Sequence, residues 1–424
     1  MNGMIKDITF TNSRSFRDET IFSMEASASE SKSNNLIYIS DEESLLKVGV
    51  VYGPNASGKT NIIQFLYEIK QLIRGKYIAH DDLYYVYNPY WANTISQNSE
   101  GYFKIRFTIN DTAYVYSLSF NKKMITNEYL GIGDEIVDDV EGNSIKLFSR
   151  KAEEEGLHTF EFNHNYFLDN IAVPDNVKQN QPVLNLFLTI QIEKLSSVAT
   201  YLANINIANG YHEDMMKILW EEANRWLAGN ENRIKKLANF LNHVDLGFEK
   251  FDLPKSEDGQ KNFEDIKIHH RVYDDNHQLT QNDFLVPIST ESFGSRRLFL
   301  LGAKILESLE TGMPFIADEL DASFHTFITS FIVNMFQDPR INSKNSQLIF
   351  TTHDISLMDE KLLRADQIWF TQKDREGASE LYSLADFNDV EEDTPFSKWY
   401  MAKIFGAVPE IESLASLFGD ETNE

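Results

Sequence analysis

The chain has 424 residues, 42% of them apolar, with 65 acidic against 39 basic side chains, a net charge of −26 and no cysteine. That length suits two or three domains, or one large domain with an insertion; the lack of thiols excludes disulfides, thiolate metal sites and iron–sulfur clusters. The charge opposes nucleic-acid binding over the whole surface, no run approaches the roughly 18 uninterrupted apolar residues of a membrane span, and without a signal-peptide pattern in residues 1–7 a cytoplasmic location is expected.

Two short strands are predicted first, around Ile5–Thr11 and Thr20–Met24, joined by residues 12–16. The apolar run Val48–Tyr52 then reads as a strand. It feeds Gly53, Pro54, Asn55, Ala56, Ser57, Gly58, Lys59 and Thr60, after which Ile62, Phe65, Leu66, Ile69, Leu72 and Ile73 mark one helix face. Strand, G-x-x-x-x-G-K-[ST] and helix in that order are the setting of a phosphate-binding loop. Gly53 and Gly58 allow the backbone to curl its N–H groups toward phosphate oxygens. Lys59 adds a charge for the β- and γ-phosphates, Thr60 a hydroxyl for Mg²⁺, and the helix its positive end.

Alternation at Phe103, Ile105, Phe107 and Ile109, a turn at Asn110-Asp111, and alternation again at Tyr114, Tyr116, Leu118 and Phe120 predict a β-hairpin. Further β-structure is expected over 125–162, with loops at 131–134 and 153–156. After Pro174 the pattern turns helical, over 182–206, 215–227 and 231–244, and 253–262 reads as a polar loop. Strands return at Ile266, followed by an amphipathic helix bearing Leu298, Leu301, Ile305 and Leu309. Strand and helix then alternate over 314–317, 324–336, 347–351, 361–364 and 367–371, the doubly wound α/β pattern. The expected organisation is a nucleotide-binding core split in two, 1–173 and 263–424, with a helical insertion at 174–262.

Four later segments fit the phosphate loop. The strand 313–317 ends in Asp318 and Glu319; an Asp there can hold Mg²⁺ and the adjacent Glu can polarise an attacking water. Ser292-Phe293-Gly294 opens a helix and presents a hydroxyl and free N–H groups to an anion. Asp321 lies in the acidic turn after Glu319, and His353, at the end of the next strand, can reach a γ-phosphate.

This order of phosphate loop, Ser-x-Gly signature, Asp-Glu, acidic loop and switch His resembles ABC-type ATPases, including the SMC and RecF-like heads. The resemblance implies an α/β head with an antiparallel β lobe, ATP and Mg²⁺ as cofactors, and a homodimer or higher homo-oligomer. In it, Ser292 and Gly294 would complete the site that a partner's phosphate loop begins. A narrower resemblance rests on Arg14-Ser-Phe16, Asn88-Pro-Tyr90, Glu128-Tyr-Leu130, the segments 347–354, 367–370 and 381–387, and Phe405-Gly-Ala-Val-Pro409. These are similar to the "AAA" ATPases of anti-phage defence, the RloA and AbiL ATPases and AriA of PARIS. That implies a sensor or scaffold that responds to a phage trigger and controls an effector protein, often a Toprim-type nuclease on a separate chain. The signature departs from transporters in having Phe293-Gly294 for Gly-Gly. The Gln-loop, a further Mg²⁺ contact in ABC-type ATPases, is assigned to Gln97, with Gln64 as the weaker choice. A RecF- or SMC-like repair ATPase is the alternative; the net charge and the lack of a long basic stripe leave direct DNA binding open but not favoured. A transporter subunit is weaker still, since Lys59 and Ser292 are too far apart in sequence and no membrane partner is indicated. Arg296-Arg297 and Arg233, Lys235 and Lys236 are the only candidates for a basic groove, and Trp220 and Trp226 for contact anchors, although solvated faces and core packing are the simpler readings.

Overall fold

The computed structural model describes residues 3–29, 31–80, 82–138, 140–153, 157–163, 177–210, 213–244, 247–254, 262–391 and 393–409. The expected boundary at 173/174 and most of the loops expected at 153–156 and 253–262 fall outside these residues.

Among the described residues the core sheet has six strands, in the order Asn206–Ala208, Phe315–Ala317, Leu348–Thr351, Val48–Tyr52, Ile368–Lys373 and Ser379–Ser383. The first five are parallel and the last is antiparallel. Val48–Tyr52 is buried along its whole length, which is why it reads as an unbroken apolar run instead of an alternating one. Parallel strands bring their carboxyl ends to one edge, where open α/β sheets bind ligands. Residues 53–58, 318–324 and 352–354 all leave the sheet there.

The second sheet is antiparallel and holds the predicted hairpin, Gly101–Ile109 with Thr112–Phe120, beside Gly3–Thr11 and Thr20–Ser23 on one side. Ile125–Ile132, Ser144–Ala152 and His158–Phe162 extend it on the other side. Its inner face meets the helix that follows the phosphate loop, Lys59–Ile73: the Phe65 ring lies 5.6 Å from Phe10 and 5.9 Å from Phe103. Gln347, fully buried, fastens the two sheets together. Its amide donates to the carbonyls of Ile5 (3.0 Å) and Leu46 (3.1 Å) and accepts from Ile5 N–H (2.6 Å).

Three expectations need correction. The helix predicted over 182–206 is two, Val183–Leu186 and Glu193–Asn204. Ser196 Oγ accepts from Ile192 N–H and donates to the Ile190 carbonyl, both at 2.9 Å, and so starts a new helix within the apolar stripe. The segment 174–262 is also not purely helical. Asn206–Ala208 joins the core sheet beside Phe315–Ala317, and Phe248–Asp252 pairs in a small sheet with Lys267–Tyr273 and Leu279–Pro287. The helices Glu213–Leu227 and Glu231–His243 pack on the helix Phe293–Thr311 and are thereby part of the head's own core. Finally, 361–364 is a turn: Arg364, buried, is held by Asp366 and by the carbonyls of Ser27, Ser29 and Ser31.

Candidate functional site

Gly53 and Gly58 sit at φ 154° and 120°, and neither has room for a Cβ atom. At Gly53 it would stand 2.4 Å from the Thr371 carbonyl oxygen; at Gly58, 2.6 Å from Ser379 Oγ. The curl is braced from the neighbouring strands, since Ser57 Oγ meets Thr371 Oγ1 at 2.6 Å and Ser379 Oγ donates to the Ser57 carbonyl at 2.6 Å. Asn55, Ala56 and Thr60 face solvent, and Ala56 adopts φ 62°. Lys59 is buried, and its ammonium donates to the carbonyls of Gly53 (2.8 Å) and Pro54 (3.0 Å). Burial lowers its pKa, against the raising effect of Asp318, Glu319 and Asp321.

Those three carboxylates come from the turn after Phe315–Ala317. Asp318 is buried and takes a hydrogen bond from Thr351 Oγ1 at 2.7 Å; the same hydroxyl accepts from Glu319 N–H at 2.7 Å. Glu319 has a left-handed backbone, φ 46°, a conformation that a non-glycine residue holds only when its surroundings enforce it. Asp321 Oδ2 accepts from His353 N–H at 3.4 Å, and its Oδ1 is buried with no hydrogen-bond partner among the described residues. The His353 ring reaches solvent, yet its pKa is lowered, first by desolvation and next by the charge of Lys59, against Asp321, Glu319 and Asp318. Lys59, Asp318, Glu319, Asp321 and His353 are therefore gathered within electrostatic reach of one another at the carboxyl edge. The donor set suits a polyphosphate with a divalent cation: a backbone cradle and an ammonium for the phosphates, and the Thr60 hydroxyl and the Asp318 carboxylate for the metal.

Ser292 and Gly294 stand at a different place. Ser292 caps the helix Phe293–Thr311, its Oγ accepting from Ser295 N–H at 3.1 Å, and both Ser292 and Phe293 are exposed. A Cβ at Gly294 would lie 2.8 Å from the Ser323 carbonyl oxygen, so the start of this helix is seated on the acidic turn of its own chain.

Gln97 is exposed, and its hydrogen bonds run to Trp91, Asn93 and Tyr87 instead of to the phosphate loop. Gln64, the weaker choice, is instead bonded to an amide at the carboxyl edge for which no role is predicted above, that of Asn209. Asn209 directly follows Asn206–Ala208, whose last carbonyl accepts from Asp318 N–H at 2.9 Å. Asn209 is 4% exposed and its Nδ2 donates to Gln64 Oε1. Its only sequence signal was a short apolar run ending in Asn-Gly inside a region of helical character. Arg297 is fully buried, and Arg233 is paired with Glu310 at 2.6 Å. Trp220 and Trp226 are both in the core.

A family model described as "AAA domain, putative AbiEii toxin, Type IV TA system" matches residues 49–359, from the phosphate-loop strand to just beyond His353. No curated protein matches the chain. Among solved structures, the chain is similar to the SMC head domain from Thermotoga maritima, with 14% identity, a TM-score of 0.42, and 90% of this chain and 99% of that one covered. It is also similar to the Smc head domain with an extended coiled coil bound to the C-terminal domain of ScpA, derived from Pyrococcus furiosus. There the identity is 12%, the TM-score 0.43, and the coverage 90% and 96%. The Smc head domain with a coiled coil and joint derived from Pyrococcus yayanosii gives 10% identity, a TM-score of 0.46, and coverage of 95% and 100%. No helix among the described residues is long and apolar enough to cross a membrane.

Proposed function

The chain belongs to the family described as "AAA domain, putative AbiEii toxin, Type IV TA system", and from that premise we propose that it is a Mg²⁺-dependent, ABC-type ATPase whose cycle controls an effector protein in defence against phage. The observation that carries the ATPase reading is the gathering of Lys59, Asp318, Glu319 and His353 at one edge of the core sheet. In this reading the backbone of 53–60 and Lys59 hold the triphosphate, and Thr60, Asp318 and the Asn209 amide surround the metal position. A Mg²⁺ ion bound there would neutralise charge on the phosphoryl group being transferred. Glu319 orients the attacking water, and the left-handed backbone fixes the direction of its carboxylate. His353, its pKa lowered by desolvation and by Lys59, offers a ring nitrogen to the γ-phosphate. Asp321 holds the His353 backbone in register.

Ser292 and Gly294 have no bond to the phosphate loop of their own chain among the described residues, which favours their use in trans, in a homodimer or larger homo-oligomer. Exposed Phe293 (43%) and Phe327 (77%) flank the acidic turn and supply apolar surface for such a contact. Purified protein should hydrolyse ATP, and Glu319→Gln should keep ATP affinity while turnover nearly disappears; wild-type turnover in that variant would refute the assignment.

The defence role rests on the similarity of the segments quoted above to phage-defence ATPases. The acidic surface suits a protein effector with a basic face better than nucleic acid. Protection of cells should then need Lys59, Glu319 and a separate effector chain together. Protection by this chain alone, with no partner recovered in a pull-down, would overturn the scaffold reading.

A further inference from the structure

Arg297 is among the largest side chains that are completely buried. A guanidinium cannot lose its proton in a protein, so burying one is costly unless its surroundings hold the charge. Its environment is specific. Nη2 donates to the Glu319 carbonyl at 2.6 Å and lies 3.4 Å from the Leu320 carbonyl, and the guanidinium carbon stands 4.6 Å from the centre of the Phe324 ring. One nitrogen thus spans the two carbonyls that follow Asp318, at the residue whose left-handed backbone aims the proposed catalytic carboxylate. Thr351 holds the same residue from the other side through Glu319 N–H. One turn earlier on the Arg297 helix, Gly294 abuts the Ser323 carbonyl. The signature end of the helix and the turn 319–324 therefore touch at two points three residues apart, and at both of them the turn presents backbone carbonyls.

We propose that Arg297 is a positioning residue that locks Glu319 in its left-handed conformation and makes the signature helix and the turn 319–324 one rigid unit, so that engagement of Ser292 with a partner's nucleotide sets the carboxylate of the engaging chain's own site. This rests on the ATPase reading above. It couples two sites through a named contact: nucleotide binding at the first, by moving Ser292 and Gly294, acts on the water-orienting group of the second. Sites so joined are cooperative.

The test uses the full chain with Mg²⁺-ATP. Arg297→Met keeps the volume and removes the donors. Turnover should fall about 100-fold, as expected for loss of a group that orients a reacting residue. KM for ATP should change by less than about threefold, because the phosphate loop is untouched, and the Hill coefficient should drop to about 1. Arg297→Lys carries the test if the Met variant does not fold. An ammonium on a shorter stem can donate to the Glu319 carbonyl but lacks the planar group that lies over the Phe324 ring, so turnover should lie between wild type and the Met variant, with reduced cooperativity. Wild-type turnover and Hill coefficient in the folded variants would overturn the proposal, as would a loss explained entirely by raised KM. If wild-type protein itself shows no turnover, or Glu319→Gln keeps it, the ATPase reading fails first, and the two failures are distinguishable.

Discussion

Thr351 offers the sharpest test of how the acidic strand end is held. Its hydroxyl is fully buried, donates to Asp318 Oδ1 and accepts from Glu319 N–H, both at 2.7 Å. Thr351→Val preserves shape and β-branching but replaces this oxygen with a methyl group. One lost bond goes to a charged acceptor, worth about 1.5–3 kcal/mol, and the other is an ordinary bond from a part-buried amide, worth about 0.5–1.5 kcal/mol. The combined cost should be about 2–4 kcal/mol, seen as a clear drop in melting temperature. If part of that strain is relieved by rotation of Asp318, the Mg²⁺ concentration needed for half-maximal turnover should rise by ~10–100-fold, the usual consequence of removing a group that orients a metal ligand. Thr351→Ser retains the hydroxyl and should lie within about 1 kcal/mol of wild type, losing only a methyl. Unchanged melting and Mg²⁺ dependence in the Val variant would refute the claim that this hydroxyl organises the site.

Three further outcomes are expected. Lys59→Ala should weaken Mg²⁺-ATP binding by ~10–100-fold in calorimetry, the value of about 1.5–3 kcal/mol for charged hydrogen bonds; unchanged affinity would remove 53–60 as the phosphate site. His353, whose pKa is lowered from the ordinary 6.5 by desolvation and by Lys59, should titrate below a free histidine, and its titration followed by NMR should move up in Lys59→Met. The folded state resists the proton that the unfolded chain takes up, so the His353 contribution to stability is lost as pH falls below 6.5; a titration unmoved by the Lys59 change would sink this account. Glu128 is buried and accepts from the N–H groups of Val183 (2.7 Å) and Leu184 (3.0 Å) and from Tyr116 Oη (3.0 Å), with Arg150 at 4.0 Å. Glu128→Ala should therefore cost about 3–5 kcal/mol in urea unfolding, and a loss under about 1 kcal/mol would contradict it.

The phosphate loop and Asp318-Glu319 were legible because their chemistry is local. A strand, a run of defined residue types and a helix follow one another in the chain, and the spacing carries the meaning. The hairpin 101–120 was legible for the same reason, since its two-residue period and its turn lie side by side. Asn209 was not legible. Its place at the site comes from pairing Ile207 with Ile316, far away in sequence, and three residues are too few to show a period. Arg297 was misread because exposure was inferred from charge. What buries it is the turn 319–324, which no nearby residue announces. The break at 187–192 was missed because the apolar stripe continues through it, while the Ser196 hydroxyl that sets the new helix start leaves no periodic trace.

The neighbours of the phosphate-loop strand bear on how the protein is made. Val48 pairs with Leu348 and Val50 with Ile368, so the loop motif is synthesised about 300 residues before the strands that flank it. Until residue 351 has left the ribosome the apolar strand 48–52 has no sheet partner on either side, and until residue 370 it still lacks one; such unpaired edges are prone to aggregate. Closing so long a segment also makes this pairing a slow step. A nascent chain halted before residue 348 should therefore display the complete phosphate-loop sequence and yet hold no nucleotide, and ATP competence should appear late, over the synthesis of a few dozen residues.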